Sequence, residues 1–215
     1  MKPYVLASVL VVLSGAVSAD TVFNYDGFYS RMKKSEKVEF SDITLAFMLQ
    51  KTATTEACQV DKALITTDIS EAPLNIAGNG ELQLPFDELL NSRKALIVLK
   101  QPAGAAQCDL NFKLRSKMPI PQQVTIAQLR KLQGQFEQLL DSLAGVSKYW
   151  LPDVAGLTVH FAKEVTAQSS DEAFMQQIDC EQQRCRIQLP ASLQDSATVQ
   201  FSALPDHATP LLPKP

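Results

Sequence analysis

VTIAQLRKLQGQFEQLLDSLAG, residues 124–145, is the one long helical pattern in the chain. Leu129, Leu132, Phe136, Leu139, Leu140 and Leu143 recur at three- and four-residue intervals, so they share one stripe of a 3.6-period helix. Thr125 and Gln128 have the spacing of a capping box, in which each side chain satisfies the other residue's orphan amide. Gly145 stands where a C-terminal cap is wanted, and Lys148 lies just past the negative end of the helix dipole. Pro119 and Pro121 before it, and Pro152 after it, stop the helix from extending. Arg130, Lys131, Gln133, Glu137, Gln138 and Asp141 wet the other faces. A leucine stripe of this length has two uses, a partner surface or the protein's own core; the core is preferred, because monomers rarely expose large apolar patches. The flanking sequence reads as short strands. The chain is therefore expected to be mainly β with one long helix (α+β): disulfide-stapled, sandwich-like β modules joined by an amphipathic helix within residues 119–151.

At the start, Met1-Lys2-Pro3 followed by the apolar run Tyr4 to Val17 has the form of a secretory signal, and Val17-Ser18-Ala19 supplies small residues for cleavage after Ala19. The run falls short of the roughly 20 apolar residues that span a bilayer. Ala stands at position 16, where a lipoprotein signal carries the Cys that is acylated, so no lipid anchor is expected. Residues 1–19 thus read as a signal peptide, and the mature chain as soluble, exported to the periplasm and without a membrane span. Removing them from the 215 leaves 196 residues, and the loss of Lys2 moves the net charge from −3 to −4. A mildly acidic chain without a basic stripe argues against nucleic acid as a partner. The basic cluster Arg31-Met32-Lys33-Lys34-Ser35-Glu36-Lys37 is broken by Glu36 and reads as a solvated face.

Four cysteines in an exported chain read as two disulfides, with three pairings open. Cys180 and Cys185 bracket Glu181-Gln182-Gln183-Arg184 in a hairpin pattern that sets them opposite each other. That leaves Cys58 with Cys108. A four-thiolate zinc site needs paired knuckles, which Cys58 and Cys108 lack, and no C-x-x-C redox motif is present. No metal and no cofactor is expected.

The first β module, residues 38–118, shows period-two alternation at Ile43 to Gln50 and Cys108 to Arg115. Val60 to Thr67 and Glu81 to Leu84 are shorter strand candidates, and Lys94 to Lys100 is apolar on both faces like a central strand. Turn signals separate these runs and suggest an immunoglobulin-like sandwich. The second module, residues 152–204, partly echoes the first. Gly80 to Leu89 and Cys185 to Leu193 both read as strand, Pro stop, helical turn, and Leu157 to Phe161 resembles Ile43 to Phe47. This echo is either a duplicated unit with the helix as connector or a generic strand–turn–strand pattern. Residues 205–215 form a Pro-rich tail, read as extended or disordered.

Residues 20–37 carry the aromatic cluster Phe23, Tyr25, Phe28 and Tyr29 and offer no clear element. Tyr25, Phe28, Tyr29 and Trp150 are the binding candidates, as platforms for a glycan or peptide. The competing reading ties the N-terminal aromatics into the core and puts Trp150 in the seam between the modules. No catalytic residue is assigned. His160 lies on the polar face of a strand, His207 in the tail, and no G-x-S-x-G, H-E-x-x-H or P-loop occurs. Asp87/Glu88 and Asp171/Glu172 sit at helix starts, where negative charge is favoured anyway.

The signal segment, the Tyr25–Tyr29 aromatics, Cys58 to Thr67, the Leu82-Gln83-Leu84-Pro85-Phe86-Asp87-Glu88-Leu89-Leu90 stretch and the Cys108 strand together resemble a family of exported Gram-negative bacterial proteins known only as a domain of unknown function. The resemblance implies an envelope location and transfers no active site. The functional expectation is a periplasmic, non-enzymatic β-rich protein that binds another envelope protein or an extended peptide. The rivals are an envelope hydrolase acting on glycan or peptide through carboxylates gathered from distant loops, and a two-domain pilus-type chaperone. The long helix and the acidic balance count against the chaperone.

Overall fold

A computed structural model describes residues 20–52, 54, 56–169 and 171–213. The expected signal segment, residues 1–19, lies outside the described residues.

The N-terminal aromatic stretch folds as strand β1 (Thr21–Asn24) running directly into helix α1 (Tyr25–Ser35). Tyr25, Phe28, Tyr29 and Met32 stand at helical spacing and are all buried, which is why the segment is helical despite Gly27. A 3₁₀ turn at Val38–Phe40 leads to β2 (Ile43–Lys51), followed by β3 (Lys62–Thr66), β4 (Glu71–Pro73), β5 (Asn75–Ile76) and β6 (Leu82–Gln83). The short helix α2 (Glu88–Ser92) is capped by Asp87, whose carboxylate accepts from the Leu89 and Leu90 amides. Strands β7 (Leu96–Lys100) and β8 (Cys108–Ser116) close the first half.

The second half opens with β9 (Gln123–Thr125), which runs directly into α3 (Ile126–Ala144). The capping box of Thr125 and Gln128 is present, and Gly145 caps the other end at φ 59°. A 3₁₀ segment at Gly145–Trp150 precedes β10 (Gly156–Phe161) and β11 (Ala167–Gln168). A one-turn helix α4 (Glu172–Met175) follows, then β12 (Ile178–Glu181), β13 (Arg184–Gln188), β14 (Thr198–Phe201) and β15 (Pro205–Leu211). Residues 205–211 of the Pro-rich tail are therefore a strand. Its prolines are tolerated because Pro205 opens the strand and Pro210, on the same edge as the Ala208 amide, faces away from β10, with which β15 pairs.

In place of an immunoglobulin-like pair of large sheets, the strands divide among small ones, ordered β1-β7-β3-β4, β12-β13-β10-β15, β11-β14-β9, β2-β8 and β5-β6. An isolated bridge between Met48 and Glu81, with the Leu49 amide donating to the Gly80 carbonyl at 2.8 Å, sets β6 beside β2. The order β5-β6-β2-β8 then parallels β12-β13-β10-β15, and β1-β7-β3 parallels β9-β14-β11.

The registers repeat as well. Asn24 lies opposite Leu96 and Thr125 opposite Thr198, each an N-cap in extended conformation. The next amide, of Tyr25 or Ile126, donates to the carbonyl of Ala95 at 3.0 Å or Ala197 at 2.9 Å. Ala63 pairs with Leu99 as Ala167 pairs with Phe201, and Ile76 with Leu82 as Ile178 with Ile187. The chain is thus one topology written twice, over residues 21–116 and 123–211. These spans differ from the modules 38–118 and 152–204 read from the sequence, because each helix belongs inside its own copy: α1 in the first, α3 in the second.

The copies share a core. One continuous cluster of buried side chains runs from Tyr25 to Ala208. Leu129, Leu132, Phe136 and Leu139 of the leucine stripe are buried, with Leu140 and Leu143 half-buried beside them. Helix α3 packs on α1, β2, β10 and β15, so it lies between the copies as their common filling. Lys34 of α1 donates to the Ser142 carbonyl of α3 at 2.7 Å. The buried Gln135 accepts from the Asp42 amide at 3.1 Å and donates to the Asp42 carboxylate at 2.9 Å, which fixes α3 to the start of β2.

The disulfides brace different places. Cys58–Cys108, with Cα atoms 6.0 Å apart, ties the loop after β2 to the start of β8. Cys180–Cys185, with Cα atoms 4.0 Å apart, staples β12 to β13 directly across the hairpin.

Candidate functional site

Strand β8 forms its ladder with β2, and β15 with β10, yet the two run side by side where the copies meet. They are stitched at Ser116, whose buried hydroxyl accepts from the Ala208 amide at 3.0 Å. A cleft of about 790 Å³ opens at this seam.

Strand alternation decides its lining. Leu45, Phe47 and Leu49 of β2 and Val159 of β10 point into the core, which leaves Ala46, Met48 and His160 for the cleft. The facing residues on the partner strands are Lys113, opposite Ala46, and His207, opposite His160. Leu140 of α3, Phe112, Pro210 and Leu212 give the cleft an apolar wall. The seat is amphipathic.

The two histidines stack nearly parallel, with ring centroids 4.5 Å apart and planes 5° from parallel. His160 Nε2 lies 3.1 Å from Thr209 Oγ1, and His207 Nδ1 lies 3.1 Å from the Asp206 carboxylate. Each ring thereby commits one nitrogen to the protein. The other nitrogens, Nδ1 of His160 and Nε2 of His207, have no protein partner among the described residues. Burial pushes the His160 imidazole down to about 4, helped by the nearby His207, Arg184 and Lys113 and opposed by Asp206. Arg115 on the cleft floor is engaged by Glu81, Nη2 donating to both carboxylate oxygens at 2.8 and 3.1 Å. Lys113 makes no ion pair among the described residues.

The residues singled out from sequence lie elsewhere. Tyr25, Phe28 and Tyr29 are core residues, with exposures of 0, 4 and 7%. Phe28 packs edge-on against Phe47 at 5.1 Å, and Tyr29 stacks on Phe86 at 5.0 Å. Trp150 is not buried in a seam: it is 80% exposed, beside the equally open Tyr149. The reason is the 3₁₀ segment after Gly145, which turns these side chains away from the core face of α3. Asp87 and Asp171 act as helix caps. The histidine pair escapes sequence reading because its members are far apart in the chain and the prolines of β15 mask its strand pattern; the polar-face position of His160 is the one legible sign. Among the described residues, no group of three or more His, Cys, Asp or Glu is placed to hold a metal, and no helix is long and apolar enough to cross a membrane.

A family model described as a protein of unknown function (DUF2987) matches residues 18–161. No curated protein and no solved structure matches the chain. The matched span takes in the whole first copy and stops at the end of β10, so it includes His160 and not His207.

Proposed function

Since the chain belongs to the DUF2987 family, whose function is unknown, we propose that it is an exported envelope protein that works by binding, and that the cleft between β8 and β15 receives an extended peptide segment of another envelope protein. The observation that carries this reading is the cleft itself: an amphipathic seat at the seam of two strands that form no ladder with each other. Extended peptides suit such a seat because their side chains alternate between an apolar and a polar wall. The secretory form of residues 1–19 and the two disulfides favour an oxidising compartment.

A binding role is favoured over hydrolysis by the chemistry of the one hydroxyl–imidazole pair in the cleft. Thr209 faces His160 as a nucleophile faces its base. An imidazole held at about 4 is a weak proton acceptor at neutral pH, where a working base sits near 7. The test is a photo-crosslinking residue placed at Lys113 or at Thr209 in the exported protein, with Val38 as the remote control position. The reading expects the same polypeptide adduct from both cleft positions and none from Val38. Turnover of a glycan or peptide substrate that is lost on replacing a cleft carboxylate would overturn it.

A further inference from the structure

Resting on that reading, we propose that the stacked His160–His207 pair, together with Lys113, forms an anion-recognition point of the cleft, and that the segment it receives is acidic, seating a carboxylate against the two free imidazole nitrogens. Three observations converge here. The open nitrogens Nδ1 of His160 and Nε2 of His207 belong to rings stacked at 4.5 Å that line one cleft. The nearby cations are unevenly engaged. Arg115 is bound by Glu81 and Arg184 lies 3.3 Å from Glu181, whereas Lys113 has no acidic partner among the described residues. The one acid in contact with the pair, Asp206, is turned to His207 Nδ1, away from the open nitrogens. With Arg115 and Arg184 engaged, Lys113 is the cation left to meet an anion, and protonation of an imidazole on binding would turn its open nitrogen into a donor.

The proposal has a pH signature. The groups facing His160 are His207 and Asp206 from β15, Lys113 from β8 and Arg184 from β13. Three of these disfavour the imidazolium and one favours it. A bound carboxylate adds a second favourable charge, so the His160 pKa rises in the complex and a proton is taken up on binding. Affinity accordingly increases as pH falls from neutrality toward the free value of about 4.

The experiment uses the oxidised mature chain and a terminally blocked peptide of alternating Glu and Ala, followed through the imidazole resonances by NMR. Oligogalacturonate and inorganic phosphate serve as comparison anions. The expected result is a rise of about one unit in the His160 pKa with the peptide, and binding about twofold tighter at about pH 5, where the peptide carboxylates are still mostly ionised, than at neutrality. H160Q should remove the pH dependence. K113A should weaken binding while leaving His160 titrating, which keeps the test valid should H160Q fold poorly. Imidazole resonances unmoved by the peptide would overturn the proposal, as would equal binding of the other two anions. A cleft cross-link with unmoved imidazoles would remove the acidic specificity and leave the binding function standing; no cross-link and unmoved imidazoles would remove both.

Discussion

Tyr25 has no exposed surface, yet its hydroxyl is fully used: it donates to the Pro85 carbonyl at 2.5 Å and accepts from the Asp87 amide at 3.1 Å. Burial raises its pKa, so the folded state keeps the proton that the unfolded chain loses above pH 10, the ordinary tyrosine value. Tyr25→Phe keeps the ring and orphans both backbone groups, so a loss of about 1–3 kcal/mol is expected, read from the urea midpoint at unchanged slope. His160 gives the opposite pH dependence. Its folded value of about 4 lies below the 6.5 of an unfolded chain, so the unfolded state binds the proton first as pH falls. Stability attributable to this residue is whole above pH 6.5 and drains away between there and about pH 4. The loss is on the order of 2 kcal/mol after allowing for partial solvation, and His160→Gln should flatten that limb of the pH–stability curve. Little at this scale was legible beforehand. Tyr25, Phe28 and Tyr29 were visible as a cluster, but their burial depends on Phe47 and Phe86, which only the fold brings near.

Among the elements, the longest and most periodic were the most readable. Helix α3 and strands β2 and β8 follow from their own side-chain spacing, because a buried stripe or face must repeat over many residues. Strands β5, β6 and β11 are two residues each and β9 is three; no period can show in so short a run, and their partners define them. Thr125→Ala removes one half of the capping box and should cost about 1 kcal/mol. The disulfides should differ more. By loop closure, Cys58–Cys108 with a separation of 50 is worth about 4 kcal/mol, against about 2 kcal/mol for Cys180–Cys185 with a separation of 5. Paired Cys→Ser variants compared by thermal melting should rank in that order, and a reversed order would show that strain or residual structure outweighs chain entropy. Gly80 is fixed for a different reason. Its φ is +85°, and a Cβ there would meet the Leu49 carbonyl at 2.7 Å, so Gly80→Ala should loosen β6 from β2.

At the scale of the molecule, one core serves both copies, so unfolding should be a single transition. Far-UV and near-UV circular dichroism melts should coincide, and two separated steps would mean that the copies are independent. Residues 21–116 alone would uncover the faces of α1 and β2 that α3 covers, and should not give a cooperative melt. The repeat was half legible: the echo after β6 and β13 survives in sequence, whereas Leu157–Phe161 matches Phe47–Lys51 by register and not Ile43–Phe47. The rest does not, since a repeated register demands only the same burial pattern, which Tyr25 and Ile126 satisfy equally well.

That repeat also sets a symmetry. In both copies the last strand pairs with the strand after the helix, and in the seam β8 meets β15 while α1 meets α3. Equivalents facing equivalents is the isologous arrangement of a homodimer, here made within one chain. Two identical subunits would meet a ligand across such a seam with the same residues from either direction, and a single chain is free of that constraint. By register, Gln50 occupies in the first copy the place that His160 holds in the second, and both line the cleft. The disulfides differ too, for Cys180 and Cys185 stand where the first copy turns at Gly78 and Gly80. A single chain can thereby read its ligand with a sense of direction that a symmetric pair lacks.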